Sequence, residues 1–170
     1  MIKLECKTTK KLSKKNILDI CFLKKEKWKY SINSQLDWFK KNIKKKDLHN
    51  LLFYKEKIIG YNVLKKRTVY INKIKKKYFL LDTLIINKKF KKKKLSHLLM
   101  KFNAIIIKQT KLPSFLICKN NLIFFYKKFL WKNMNKNIIV FMDSHVILNI
   151  MYFNFSIKNI KNPINIFIRK

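Results

Sequence analysis

The chain has 170 residues, 48% of them hydrophobic. That is enough for one domain with a buried core and too short for two of ordinary size. No apolar run reaches the roughly 18 residues of a membrane span, and the opening Met1-Ile2-Lys3-Leu4-Glu5-Cys6 lacks the apolar core of a secretory signal. The three cysteines, Cys6, Cys21 and Cys118, are scattered, with neither metal-ligand nor redox spacing. Reduced thiols in a cytoplasmic protein, with no metal and no membrane partner, are the expectation.

The formal net charge is +34. A field of that size attracts phosphate backbones, so weak, salt-sensitive, non-specific nucleic-acid binding is expected whatever else the chain does. Selection for phosphate contacts would favour arginine, whose planar fork binds phosphate bidentately. Yet only Arg67 and Arg169 among 42 basic residues are arginine. Lys, Asn, Ile, Phe and Tyr dominate, while Gly60 is the lone glycine and Ala104 the lone alanine. A genome biased to AT-rich codons would place such residues at every permissive surface site, so base composition is the expected source of most of the lysine surface, with a selected polyanion site as the alternative.

In chain order, residues 1–10 read as a strand running into a polar turn. Ser13 can cap a helix from Lys14 to about Lys27, with Ile17, Ile20, Cys21 and the stem of Lys24 on its buried face. Asn33 or Ser34 can cap a second helix through Ile43, with Leu36, Phe39 and Ile43 apolar. Leu48 to Tyr54, the turn Lys55-Glu56-Lys57, and Ile58 to Leu64 read as strand, turn and strand, although the turn lacks Asn-Gly or Asp-Gly. Arg67 to Lys77 reads as a lysine-heavy loop, with a short strand extension at Val69-Tyr70-Ile71.

Tyr78 to Ile86 is β-branched or aromatic and short, the composition of a strand. A basic turn follows from Asn87 to Lys94. Leu95, Leu98, Leu99, Phe102, Ile105 and Ile106 then recur with the spacing of a half-buried helix. A strand, a basic turn and a helix N-terminus together make an anion site, because the helix exposes unpaired N–H groups and the positive end of its dipole there. Lys91, Lys92, Lys93 and Lys94 add full charges, so a phosphate-bearing ligand is expected at this turn. Pro113 ends the trailing connection. Ser114 to Cys118 reads as a buried strand, and Asn120 or Asn121 can cap a helix from Leu122 to about Phe129. Trp131 to Phe155 alternates enough for two strands, and Ile164 to Ile168 allows a last one. No internal repeat or linker is evident. A single α/β (α+β) domain with a mixed sheet results.

Two segments carry a family resemblance. Ile86-Asn87-Lys88-Lys89-Phe90, then Lys91-Lys92-Lys93-Lys94-Leu95-Ser96, stand where the GNAT N-acetyltransferase superfamily has a strand ending in Val-x-Pro-x-(Tyr/Phe) and an Arg/Gln-x-x-Gly-x-Gly/Ala turn. Phe115 to Trp131, containing Phe125-Tyr126-Lys127-Lys128-Phe129-Leu130-Trp131, resembles the family strand leading into Phe-Tyr-x-Lys-x-Gly-(Phe/Trp). Ile58-Ile59-Gly60-Tyr61 matches the strand after the hairpin turn. The resemblance covers roughly residues 10–135, in the family's order and spacing. Lys94 replaces the first glycine of the turn, the small Ser96 stands at its second, and Leu130 replaces the glycine of the Phe-Tyr-x-Lys-x-Gly motif; a glycine at the first turn position normally allows close backbone approach to a pyrophosphate.

The resemblance implies a single-domain GNAT-like fold over 1–170, with a mixed, mostly antiparallel central sheet flanked by helices. It implies acetyl transfer from acetyl-CoA to the amine of a small molecule, an amino sugar or sugar nucleotide among the choices. It leaves open a homodimer, a decayed enzyme and a non-enzymatic nucleic-acid- or ribosome-associated protein on the same fold. Backbone groups of Leu84, Ile85 and Ile86 would pair with the pantetheine arm, amides of Lys91 to Ser96 would hold the pyrophosphate, and Asn120 would hold the cofactor arm. Tyr126 would protonate the leaving thiolate, unless it is a core aromatic beside Phe124 and Phe125. The base would be Asp82, acting directly or through water, or His49, since imidazole titrates near neutrality. Trp28, Tyr30, Gln35, Asp37 and Trp38 fall where the family builds its acceptor wall, though helix-packing aromatics would look the same. His97 could reach a phosphate, and His145 has no evident role.

Overall fold

The computed structural model describes the chain except residues 72, 92, 135–137, 142–148, 157–163 and 168–170. The chain divides into two compact units, Met1–Lys65 with Leu81–Ile106, and Lys66–Leu80 with Ile107–Lys170.

The first unit holds β1 (Ile2–Thr8), α1 (Lys14–Lys25), α2 (Ile32–Asn42), β2 (Leu48–Tyr54), the start of β3 (Lys57–Ile71), the end of β4 (Ile74–Ile86) and most of α3 (Leu95–Thr110). Its strands are ordered β1-β2-β3-β4. β1 and β2 pair antiparallel from Ile2↔Tyr54 to Thr8↔Leu48. β2 and β3 pair antiparallel with an irregularity at Leu52/Phe53. Their turn places Lys55 at φ +45° and Glu56 at φ +61°. Two successive positive φ values are the pattern of a type I′ hairpin turn, formed here without the residues that favour it.

Ser13 caps α1 as its sequence position suggests. Its Oγ accepts from the Asn16 N–H at 3.1 Å, and Asn16 Oδ1 accepts from the Ser13 N–H at 3.4 Å. This reciprocal box satisfies two helix-terminal donors, with Asn in place of the usual Glu or Gln. α2 starts earlier than expected. Its cap is Ser31, whose Oγ accepts from the Ser34 N–H at 3.1 Å, rather than Asn33 or Ser34. Capping needs an extended residue before the first turn, and Ser31 supplies it at φ −60°, ψ 159°.

Leu51 and Leu52 show how the sheet alternates. Leu51 packs with Ile20 and Leu23 of α1, Phe39 of α2, Tyr61, Val63 and Ile85. Leu52 packs with Ile59 and Leu99 of α3, with Leu84, Ile86, Phe90 and Leu95 against them. α1 and α2 therefore cover one face and α3 the other. On the α3 face, the Asn50 Nδ2 donates to Asn62 Oδ1 at 2.9 Å and Asn103 Oδ1 at 3.0 Å, tying two strands to the helix through buried amides.

The second unit holds the far ends of β3 and β4, then β5 (Ser114–Cys118), α4 (Ile123–Lys127), β6 (Lys132–Asn133), β7 (Ile138–Phe141), β8 (Asn149–Phe153) and β9 (Ile164–Phe167). Its sheet is ordered β3-β4-β5-β8-β6, and β7 pairs with β9 in parallel. β8 pairs antiparallel with both β5 and β6. The expected loop at 67–77 is instead the meeting of two strands, since β3 continues to Ile71 and β4 begins at Ile74. The ladder uses backbone groups, so Lys75, Lys76 and Lys77 join it with their side chains exposed. α4 is shorter than expected, following a 3-10 turn over Asn120–Leu122. Aromatic edge contacts fill this core, Tyr78 to Phe115 at 5.4 Å and Tyr126 to Trp131 at 6.5 Å among them.

β3 and β4 run through both units, and the seven strands follow the order β1-β2-β3-β4-β5-β8-β6. This is the expected α/β class, a sheet with helices. Among the described residues no helix is long and apolar enough to cross a membrane.

Candidate functional site

The turn between β4 and α3 is held from three directions. The Asn87 N–H donates to Ile59 O at 2.8 Å. Asn87 Oδ1 accepts from the Lys89 N–H at 2.9 Å, closing a 3-10 turn over Lys88–Phe90. Glu26, at the end of α1, accepts from Asn87 Nδ2 at 2.6 Å and from the Lys88 N–H at 3.1 Å. One of only eight acidic residues thus pins a lysine-rich turn. Nothing in the sequence pattern links positions 26 and 87.

Lys94 then turns the chain into the helix. Its φ is +53°, and its carbonyl accepts from the N–H groups of His97 (3.0 Å) and Leu98 (3.2 Å). Leu95 and Ser96 open α3, so the helix offers no acceptor to their N–H groups. Beside them lies a cleft of about 550 Å³. Leu84, Ile85, Ile86, Phe90 and Leu95 form its apolar wall. Lys27, Lys29, Lys88, Lys91 and Lys94, with Glu26 and Ser96, form its polar lining. Helix-terminal N–H donors, a dipole end and five ammonium groups make an anion seat joined to an apolar trough. This set fits a ligand with a diphosphate at one end and a thin, largely apolar arm. Leu84, Ile85, Ile86, Lys91, Lys94, Leu95 and Ser96 all line this cleft. Lys93 is exposed, its ammonium 5.5 Å from the Phe90 ring centroid, and is not in the lining. Lys92 and His145 lie outside the described residues.

Asp82 and Ile85 are three residues apart on β4, yet both face α1 and α2. Ile85 belongs to that core layer, and Asp82 pairs with Lys65, two residues beyond Val63 of the same layer. Simple alternation forbids this. Thr83, at φ +55°, is the break. A β-branched residue in that region is a true backbone outlier, and such strain gathers at functional sites. The Thr83 hydroxyl donates to Asp82 Oδ1 at 3.2 Å.

Lys65, the partner of Asp82, connects it to Trp38, one of the expected wall residues. Trp38 carries two cations, with the Lys24 Nζ 3.2 Å and the Lys65 Nζ 4.6 Å from its ring centroid. Trp28 is half-buried, and its carbonyl accepts from Gln35 Nε2 at 3.4 Å. Gln35 is buried, while Tyr30 and Asp37 are exposed. Lys24 and Lys65 were not anticipated as site residues; a lysine within an apolar helix face was the available signal for Lys24.

His49 is a different case. It is fully buried, its Nδ1 2.9 Å from the Tyr61 hydroxyl and its Nε2 2.9 Å from Thr9 Oγ1. It stacks between Phe39 and Tyr61. Burial pushes its pKa down to about 4, against a smaller opposing pull from Asp47. Both ring nitrogens are engaged and burial disfavours the protonated ring, so His49 is poorly placed to take a substrate proton. His97 is half-buried in the first turn of α3.

In the second unit, Tyr126 is buried on α4, its ring packed edge-on against Phe125 at 5.1 Å. The Asn120 Oδ1 accepts from Asn149 Nδ2. Leu130, the other replaced glycine, has φ +67°. Both replaced positions therefore keep a backbone conformation that favours glycine.

No protein-family model matches the chain, and no curated protein matches it by sequence. Solved structures do. An acyl-CoA N-acyltransferase from Pseudomonas aeruginosa superposes with TM-score 0.68 at 13% identity, over 89% of this chain and 99% of that one. The GNAT family N-acetyltransferase YhbS from Escherichia coli, in complex with CoA, gives TM-score 0.67 at 10% identity, over 97% and 88%. An aminoglycoside 6′-N-acetyltransferase complexed with coenzyme A gives 0.66 at 9% identity, over 88% and 96%. The chain has the GNAT fold.

Proposed function

We propose that the protein is an acyl-CoA-dependent N-acyltransferase, with acetyl-CoA as donor and the amine of a small molecule, such as an amino sugar or sugar nucleotide, as acceptor. The cleft at the start of α3 carries this reading. An apolar strand wall leads to helix-terminal N–H groups and a ring of ammonium groups, the sequence of environments that an acyl–pantetheine–diphosphate ligand needs. The similarity to N-acetyltransferases complexed with coenzyme A supports it.

The residues divide the work. N–H groups of Leu95 and Ser96, with Lys91 and Lys94, hold the diphosphate. The backbone of Leu84 to Ile86 pairs with the pantetheine arm, and one N–H there polarises the thioester carbonyl. When bound, the donor supplies an activated acyl group. Asp82, whose carboxylate accepts from Lys65 and Thr83, takes a proton from the acceptor amine, directly or through water. Tyr126, by its place in the family-like motif, returns a proton to the thiolate.

Tyr126→Phe tests the proton assignment. Turnover should fall by about 10² or more with donor affinity unchanged; equal losses in both would reduce Tyr126 to packing. Acceptor-independent binding of CoA tests the reading as a whole.

A further inference from the structure

We propose that Lys24 and Lys65 form a seat for an oxyanion, a carboxylate or phosphate, carried by the acceptor. The assignment of this anion to the acceptor rests on the acyltransferase reading; the seat itself does not.

Lysine fills the permissive surface of this chain, but these two positions are not surface. Lys24 and Lys65 are each 5% exposed, and they are the only lysines among the described residues in the buried class. Composition does not explain them, because Ile and Leu are also abundant in this chain and carry no desolvation penalty when buried there. Burying an ammonium costs several kcal/mol unless an anion and hydrogen bonds compensate. Lys65 has its anion, Asp82. Lys24 has none. Among the described residues no carboxylate lies within ion-pair distance of its Nζ, and its neighbours are the faces of Trp38 and Trp28. Ring faces return only part of the desolvation cost. Among the described residues two buried cations thus share one carboxylate, which leaves one positive charge without a counterion there.

The cluster is not sealed. The Asp82 side chain is 33% exposed, and Trp28 and Trp38 are half-buried. Asp82 is also two residues along β4 from Leu84, which lines the cleft. An acceptor whose anionic group meets Lys24 and Lys65 is held beside the carboxylate proposed as base. Burial independently lowers the Lys24 pKa to about 8, with Asp82 opposing the shift and Lys65 adding to it. An arriving anion reverses that shift. The acceptor class this selects is an amine bearing a carboxylate or a phosphate.

The test compares wild type, Lys24→Met and the exposed control Lys14→Met by thermal melting in sodium phosphate, sodium acetate and sodium chloride at matched ionic strength. Without a bound oxyanion, Lys24→Met should melt about 2 °C or more above wild type, since a buried unpaired charge has been replaced by an isosteric apolar chain. Phosphate or acetate should then raise wild type and Lys14→Met by about 2 °C more than Lys24→Met, relative to chloride. A differential confined to phosphate identifies a phosphate seat, and one confined to acetate a carboxylate seat. Equal shifts in all three proteins, or a Lys24→Met that melts below wild type, overturn the proposal. If Lys24→Met does not fold, the Lys24 pKa is titrated by NMR in wild type with and without phosphate. A rise of about one unit is expected, and no rise overturns the seat. CoA is melted against the same proteins. Stabilisation by CoA that survives Lys24→Met while the oxyanion differential is absent sinks the seat alone. An oxyanion differential without any CoA effect sinks the acyltransferase reading alone.

Discussion

Replacing Lys94 by glycine separates the backbone of the turn from its charge. Lys94 sits at φ +53°, a region that costs a residue with a Cβ about 1–2 kcal/mol. Glycine removes that cost but loses about 0.5–1 kcal/mol more chain entropy on folding. The net gain is about 0.5–1 kcal/mol, and at this chain length that raises Tm by about 1–4 °C. Lys94→Ala keeps the Cβ and loses only the side-chain charge, so it should show no such gain. The difference between the two variants by thermal melting isolates the backbone contribution. Binding should behave differently. The turn already has the glycine-type conformation with lysine in place, so glycine has little left to pre-organise. Both variants should bind CoA up to about fivefold more weakly than wild type, the value of one exposed ammonium. A Gly variant no more stable than the Ala variant would refute the left-handed turn. A rise in CoA affinity beyond about tenfold would show that the lysine side chain obstructs the diphosphate. Leu130→Gly is the companion without ligand consequences. Leu130 is at φ +67° and 61% exposed, so little packing is lost and a similar gain in Tm is expected.

Three further outcomes follow from single contacts. A Cβ on Gly60 would lie 2.7 Å from Ile86 Cδ1 and 3.1 Å from Leu52 Cβ; Gly60→Ala should cost about 1–3 kcal/mol by denaturant titration and weaken CoA binding, because Ile86 lines the cleft. Glu26→Ala removes the acceptor for Asn87 Nδ2 and the Lys88 N–H; hydrogen exchange at Lys88 should accelerate by about tenfold or more while the α1 amides keep their protection. His49 sets a pH dependence. Its folded pKa is depressed from 6.5 to about 4, so its contribution is complete above pH 6.5. That contribution is lost as pH falls from 6.5 to 4, by about 1.4 kcal/mol per unit at most. His49→Gln should flatten that segment of the stability–pH curve; an unchanged slope would mean the ring is not buried neutral.

What could be read in the sequence was whatever local pattern determines. Ser13 before an amphipathic run, the strand at 114–118 and the strand–turn–helix from 78 to 106 all depend on residues near each other in the chain. The resemblance located the cleft for the same reason, since its residues are nearly contiguous. Ser31 was passed over because two other small polar residues stood one turn away, and only backbone geometry chooses among them. Outside Val69-Tyr70-Ile71 the stretch 67–77 reads as loop because lysine carries little strand propensity, whereas a ladder of backbone hydrogen bonds does not need it. Thr83 gives no signal at all. A threonine in a strand reads as ordinary, yet its positive φ moves Asp82 to the face that holds Lys24 and Lys65. The Glu26 clamp joins residues 61 and 62 positions apart, and Lys24 and Lys65 meet at the Trp38 ring from distant elements; no spacing rule reaches either. His49 was chosen for its chemistry, and burial between Phe39 and Tyr61 disfavours that chemistry.

Calorimetric or thermal-shift binding of CoA to the purified chain, measured at two salt concentrations against ATP and a duplex DNA, is the most direct test of an acyl-donor site. CoA at about 100 times its dissociation constant should add about 2.7 kcal/mol, or roughly 5–11 °C in Tm, with most of that shift surviving higher salt because the pantetheine arm contributes apolar contacts. No shift with CoA, or a shift that ATP and DNA reproduce and salt abolishes, would show a lysine surface attracting anions and no acyl-donor site.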